Sequence, residues 1–153
     1  MVLPKEIKVG DVLDIGGTKF EVVQRIKWKM LLSNSSYIKF VLKSPKGDFR
    51  LAYDDEAEKW IFGKVVETGI KMPFGKEVIW KGKRFKFYAK EVCIAEEVQG
   101  SGKFRVGSME AWWDFTAEDG SYISLGYDIE TLEREDIVGR WVEVNEVEVA
   151  KKV

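Results

Sequence analysis

The sequence predicts an all-β protein. Apolar and polar residues alternate with period two along most of the chain, glycine-containing turns punctuate these runs, and helical periodicity barely appears. With 153 residues, 45% of them hydrophobic and 33% charged, the chain has the apolar mass for one compact domain or two very small ones. Disordered and fibrous folds are excluded.

The first strands begin near Val9. Leu13 and Ile15 point one way, Gly16-Gly17 makes a hairpin turn, and Phe20, Val22, Ile26, Trp28 and Met30 continue on a single inner face, with Arg25, Lys27 and Lys29 toward water. After a polar break at Ser33–Ser36 come Ile38, Phe40 and Leu42. Ser44-Pro45-Lys46-Gly47 places proline and glycine where a type I turn accepts them. Phe49, Leu51 and Tyr53 follow, then an acidic run at Asp54–Glu58, read as a solvated loop, and a strand at Trp60–Val66.

Past a linker at Glu67–Pro73 the pattern begins again. Val78 and Trp80 lead to Lys81-Gly82, and a long strand turns Phe85, Phe87 and Ala89 inward. At Lys90–Val92 the phase changes so that Val92 and Ile94 face in, which predicts a β-bulge there. A turn at Gln99–Gly102 precedes Phe104 and Val106. Ala111, Trp113, Phe115 and Ala117 then alternate up to Asp119-Gly120, a strong hairpin signal, and Ile123, Leu125 and Tyr127 follow. Residues 129–136 are the one segment with the character of a short helix, and Val138–Val149 is read as a final strand.

The two halves can be laid on each other. Gly10, Gly17 and Phe20 have the spacing of Gly75, Gly82 and Phe85, and Gly63-Lys64-Val65-Val66-Glu67 resembles Gly139-Arg140-Trp141-Val142-Glu143. The expectation is an internal duplication: two similar antiparallel meanders, each of the order of a small SH3-like barrel, spanning residues 8–67 and 74–149 and packed together as one globule. Packing would cover edges that each unit leaves open.

Composition excludes much familiar chemistry. The chain has no histidine, which removes the usual general base and metal ligand, and the single Cys93 rules out an intrachain disulfide. No run approaches the roughly 18 apolar residues of a membrane span, and Met1–Lys8 holds no apolar stretch of signal-peptide length, so a cytoplasmic protein without membrane insertion is expected. Lysine and glutamate dominate the charges over arginine, aspartate and the amides, a bias like that of heat-adapted proteomes. The net charge of -1 conceals a polarity: residues 1–105 carry 21 Lys and Arg against 14 Asp and Glu, net +7, and residues 106–153 carry 4 against 12, net -8. Internal neutralisation is the simplest use of two such fields.

The order of signals resembles one known family. Val9-Gly10-Asp11-Val12 opening onto Gly17-x-x-Phe20-x-Val22, then Gly75 to Phe85, Val92-Cys93-Ile94-Ala95-Glu96, Phe104-Arg105-Val106, Asp114-Phe115, Ile123-Ser124-Leu125-Gly126-Tyr127 and Gly139 are similar to the DUF4178 family of domains of unknown function, over about Val9 to Val144. Two places depart from its pattern, at Tyr37-Ile38-Lys39-Phe40 and at Gly100-Ser101-Gly102-Lys103, and the zinc ribbon of some relatives is missing. The resemblance implies a β fold and lends no activity.

Candidate sites follow from residue chemistry. Cys93, between Val92 and Ile94, reads as a small hydrophobe and not as a nucleophile. Asp54–Glu58 lacks the periodicity and central glycine of a calcium loop, so no metal and no cofactor are expected. Glu110 and Asp114 beside Trp112 are the best-placed carboxylates for acid-base work on a glycan, although the same alternation suits a solvated strand face. Arg84, Lys86, Tyr88 and Lys90 form a basic strip with an aromatic in it, as a single-stranded nucleic-acid groove uses. Against that, a hairpin about Gln99–Gly102 would set Arg84 opposite Glu118, Tyr88 near Asp114 and Lys90 near Trp112, consuming the strip in cross-strand pairs. Trp112 falls on the polar phase while Trp113 points to the core, and an exposed tryptophan suggests a protein contact. The expected function is a non-enzymatic binding or protein-interaction module, with a protein partner or a second copy as its target. Nucleic-acid binding and a small carboxylate enzyme are the alternatives.

Overall fold

The computed structural model describes residues 2–153 and is all-β, with no α-helix. The strands are β1 (Val12–Ile15), β2 (Thr18–Met30), β3 (Ser35–Ser44), β4 (Gly47–Asp54), β5 (Lys59–Val66), β6 (Glu77–Trp80), β7 (Lys83–Gln99), β8 (Met109–Thr116), β9 (Ser121–Asp128), β10 (Arg134–Val142) and β11 (Val147–Lys151). Two antiparallel meanders, β2-β3-β4-β5 and β7-β8-β9-β10, join through the antiparallel pairs β5–β10 and β2–β7. The result is one closed ring of 8 strands. Neither meander closes on itself, so two separate small barrels are not what forms. Closure satisfies the backbone donors and acceptors that either meander alone would leave bare.

Contacts across the ring identify its inside. Lys39 on β3 reaches Glu110 on β8, Arg50 on β4 reaches Glu135 on β10, and Tyr37 on β3 meets Trp112 on β8. Residues of the opposite phase lie outside, where they build two further cores. The first, Phe20, Val22, Phe40, Leu42, Leu51 and Trp60, is covered by β1, by β11 and by Val2 and Ile7 of the amino-terminal segment. The second, Phe85, Phe115, Ile123 and Leu125, is covered by β6 with Val78 and by Ile70 and Phe74 of the linker.

One inserted residue moves each long strand between these environments. In β2 the register against β3 shifts between Val22 and Gln24, and in β7 the register against β8 shifts between Phe87 and Ala89. The extra residues are Val23 and Tyr88. A bulge reverses the facing of everything after it. Phe20 and Val22 therefore face the outer core while Ile26 and Trp28, in the same sequence phase, face the ring interior. The single inner face expected for β2 is in fact two. In β7 the bulge lies ahead of Lys90–Val92, so Glu91, Cys93 and Ala95 face in and are buried, and Val92 and Ile94 do not share that face.

Two other expectations change. Residues 129–133 are a turn and β10 begins at Arg134, so no helix occupies 129–136. The leading backbone amides of that turn are taken by Asp128, whose carboxylate accepts from Glu130 and Thr131 in place of a helical ladder. The expected final strand is broken by a 3-10 turn at Val144–Glu146, after which β11 returns to pair with β1 of the first half. Where β5 meets β10, Gly63 and Gly139 stand directly opposite each other. A Cβ on Gly139 would lie 1.9 Å from the Phe62 carbonyl oxygen, so only glycine permits this approach.

Candidate functional site

The ring interior holds a buried ionic cluster. Arg50 donates to Glu135 through Nη2 to Oε1 at 2.7 Å and through Nε to Oε2 at 3.3 Å, and Lys103 Nζ donates to Glu135 Oε1 at 3.1 Å. Lys39 Nζ donates to Glu110 Oε1 at 3.2 Å and lies 4.0 Å from Glu135 Oε2. Burial pushes the Glu135 carboxyl up, but Lys39, Arg50 and Lys103 overcome this and hold it down at about 2. For Glu110 burial wins over Lys39 and the pKa is raised. Buried charges are tolerated when paired in this way, at little net gain in stability.

The loop between β7 and β8 caps one end of the ring over this cluster. Gln24 clamps it: the Gln24 side-chain amide donates to the Phe104 carbonyl at 2.9 Å and accepts from the Phe104 N–H at 3.2 Å. The Phe104 ring then lies edge-on to Trp28 at 5.4 Å, with Lys39, Arg50 and Lys103 all within 6.0 Å of its centre.

Deeper in, Asp114 accepts a short hydrogen bond from the Tyr122 hydroxyl while its other oxygen has no partner. Burial raises Asp114 to about 7. Glu110 and Asp114 therefore lie inside the ring and not on a solvated face, and their polar partners are Lys39 and Tyr122. The sequence offered no signal for this, because charges facing a polar interior alternate as charges facing water do. Cys93 is buried among Ile26, Trp28 and Phe104, and burial pushes its thiol up to about 12, far from a reactive thiolate. Among the described residues no group of three acidic or cysteine side chains could hold a metal ion.

The basic strip is dispersed by the bulge. Arg84 pairs with Ile79 on the β6 side, and its Nη1 donates to Glu77 Oε2 at 3.2 Å; on the β8 side the ladder ends at Lys86–Thr116, and no ion pair joins Arg84 to Glu118. Tyr88 turns toward the ring, its hydroxyl donating to Asp54 at 2.9 Å and its ring edge-on to Trp141 at 5.5 Å. Lys90 is paired with Trp113 and not with Trp112, its ammonium 5.9 Å from the Trp113 ring. Trp112 faces the ring interior against Tyr37, and Trp113 takes the outer face against Phe74 and Tyr127. Trp113 thus packs on a core with Phe115, as the alternation assigned it, whereas Trp112 is enclosed in the ring and is not the exposed tryptophan expected.

Lys86 and Lys90 do come together. They line one shallow depression with Phe74, Gly75, Lys76, Glu77, Phe87 and Trp113, where Glu77 stands across from Lys86 but is ion-paired with Arg84. Among the described residues Lys76, Lys86 and Lys90 have no carboxylate within 4.0 Å, whereas nearby Lys83 and Arg84 are taken by Asp119 and Glu77. Phe87, read as inward from the sequence, is 43% exposed here. Phe74 lies in the connection between β5 and β6, where alternation carries no information, so its membership could not be read beforehand. No helix of the described residues is long and apolar enough to cross a membrane.

No curated protein and no solved structure matches the chain. A family model does, over residues 8–148, nearly its whole length. Strands β1 to β10, the bulges at Val23 and Tyr88 and the ring-closing pairs all fall within that span, and the chain belongs to the family described as Domain of unknown function (DUF4178).

Proposed function

We propose that this chain is a non-catalytic binding module that engages a protein partner through the depression lined by Phe74, Lys76, Lys86, Phe87, Lys90 and Trp113. One observation carries the reading. Lys39, Arg50, Lys103, Glu110 and Glu135 inside the ring are paired with one another, while Lys76, Lys86 and Lys90 of this depression stand beside exposed Phe87 and half-buried Phe74 and Trp113 with no carboxylate within 4.0 Å. Aromatic rings with cations at their rim are a composition that protein interfaces favour. Trp112, enclosed in the ring, takes no part.

The test uses poly-glutamate as an anionic protein probe and a labelled thymidine oligonucleotide beside it, both at low salt. Poly-glutamate is expected to bind the parent and to lose at least tenfold in affinity to the K86E/K90E double variant. Equal binding by parent and variant, or none by the parent, would overturn the reading. Tighter binding of the oligonucleotide would favour single-stranded nucleic acid, which the lysines and rings also suit.

The two halves are read as an internal duplication. The bulge residues Val23 and Tyr88 are 65 positions apart, as are Gly17 and Gly82 and Phe20 and Phe85, and the two copies of the Gly63 motif meet face to face at Gly139. Halves of one ancestral meander that paired with each other would give this pattern.

A further inference from the structure

The geometry points to the free edge of β6 as a docking strand for an extended acidic peptide, which adds to the sheet and lays alternate side chains over Phe87 and the lysines. The inference rests on the binding reading above and names its partner class.

β1 and β6 are counterparts, each the short first strand of a hairpin with β2 or β7. β1 is paired on its other side by β11. β6 ends the sheet, and among the described residues no strand pairs with its second side. The outward groups can be identified. Phe87 N–H donates to the Lys76 carbonyl at 2.8 Å, which makes that pair a hydrogen-bonded one. Antiparallel pairs alternate in type, so at Glu77 and Ile79 the N–H and C=O point away from β7. Ile79, 62% exposed, presents an apolar side chain at the same edge.

Short, lysine-flanked edges are how proteins discourage pairing with copies of themselves. Lys76 and Lys81 border β6, so two β6 edges brought together would set lysines against lysines. The same charges favour an acidic strand. Such a strand would find two outward donors, two outward acceptors and apolar contacts at Ile79 and Phe87, the components of strand addition.

The probe is a labelled peptide of alternating Glu and Val, with a Lys-Val peptide as control, titrated against the full chain at low salt. The Glu-Val peptide should bind at least tenfold tighter than the control and should protect the Glu77 and Ile79 amides from hydrogen exchange. Ile79→Pro removes a donor that no strand of this chain uses, so the fold should persist, which circular dichroism checks, while binding falls at least tenfold. Equal binding by parent and Ile79→Pro, with loss in the K86E/K90E variant, would overturn strand addition and leave the binding face standing. Failure of the peptide to bind while poly-glutamate still binds would do the same. A concentration-dependent dimer abolished by Ile79→Pro would assign the edge to a second copy and overturn the acidic peptide.

Discussion

The two outer cores have the same plan and different completeness. Over the first, β1 is joined by β11 and by Val2 and Ile7, and Leu13, Phe20, Phe40 and Trp60 beneath them are wholly or almost wholly shielded from water. Over the second, β6 works with Ile70 and Phe74 alone; Phe85, Phe115, Ile123 and Leu125 are as well shielded, and Trp80, Trp113 and Val138 at its margin are partly buried, as Phe49, Tyr53 and Phe62 are at the first. The segments before β1 and after β10 lie on the same side. The ring between them is symmetric in its pairing, so the difference lies in what covers it and not in how it is built. A covered sheet edge is used up in stability, whereas an uncovered one remains available for contact.

Removing residues 147–153 would make the first side resemble the second. That loses buried Val147, half-buried Val149 and the β1–β11 ladder. A loss on the order of 4 to 5 kcal/mol is expected from the apolar area and the hydrogen bonds together. Urea unfolding measures it, and a change under 1 kcal/mol would show that β11 contributes little closure.

Next in size is a matched pair of truncations at the counterparts Leu13 and Val78. Leu13→Ala should cost about 3 kcal/mol or more in a fully enclosed site, and Val78→Ala about 2 kcal/mol at the looser margin. Should Val78→Ala prove the costlier, the second core is the tighter one and the comparison is reversed.

Smaller, and common to both halves, is a pH effect inside the ring. The folded pKa of Asp114 is raised from 3.8 to about 7, so its contribution to stability is full below pH 4 and is lost as pH rises through 7. Glu135 behaves oppositely. Its folded pKa is lowered from 4.5 to about 2, so its contribution is full above pH 4.5 and is lost as pH falls toward 2. Between pH 4.5 and 7, Asp114→Asn should therefore flatten a slope of at most about 1.4 kcal/mol per pH unit. Thermal melts across that window test this, and an unchanged slope would assign it to another group.

The smallest effect is expected at the open flap itself. Arg84 is exposed and pairs with Glu77 at the surface, so Arg84→Ala should shift stability by no more than about 0.5 kcal/mol. A loss several times larger would mean that β6 is held by this ion pair and not by Val78.

Most strands were legible because their turns carry strong local chemistry. Gly16-Gly17, Ser44–Gly47 and Asp119-Gly120 fall where the chain reverses. Facing was less legible, for a physical reason. Phe20, Val22, Ile26 and Trp28 keep one phase through the Val23 bulge, so alternation continues unbroken in sequence while the environment changes in space. Glu110 and Asp114 suit a solvated strand face in sequence because alternation records polarity and not location. The depression at Lys86 and Lys90 was half visible. Lys86 and Lys90 lay in the strip, but Phe74 came from the connection between β5 and β6, and Phe87 and Trp113 read as core residues only.

The bulges at Val23 and Tyr88 bear on how such a chain can vary over generations. Each strand side is assigned by counting residues, so losing Val23 alone would turn Ile26 and Trp28 outward and bring Arg25 and Lys27 to where they stood. Loss or gain of two neighbouring residues would preserve the assignment. Length changes within β2 and β7 should thus be accepted by twos and refused singly, a bookkeeping of parity that the hairpin tips need not obey.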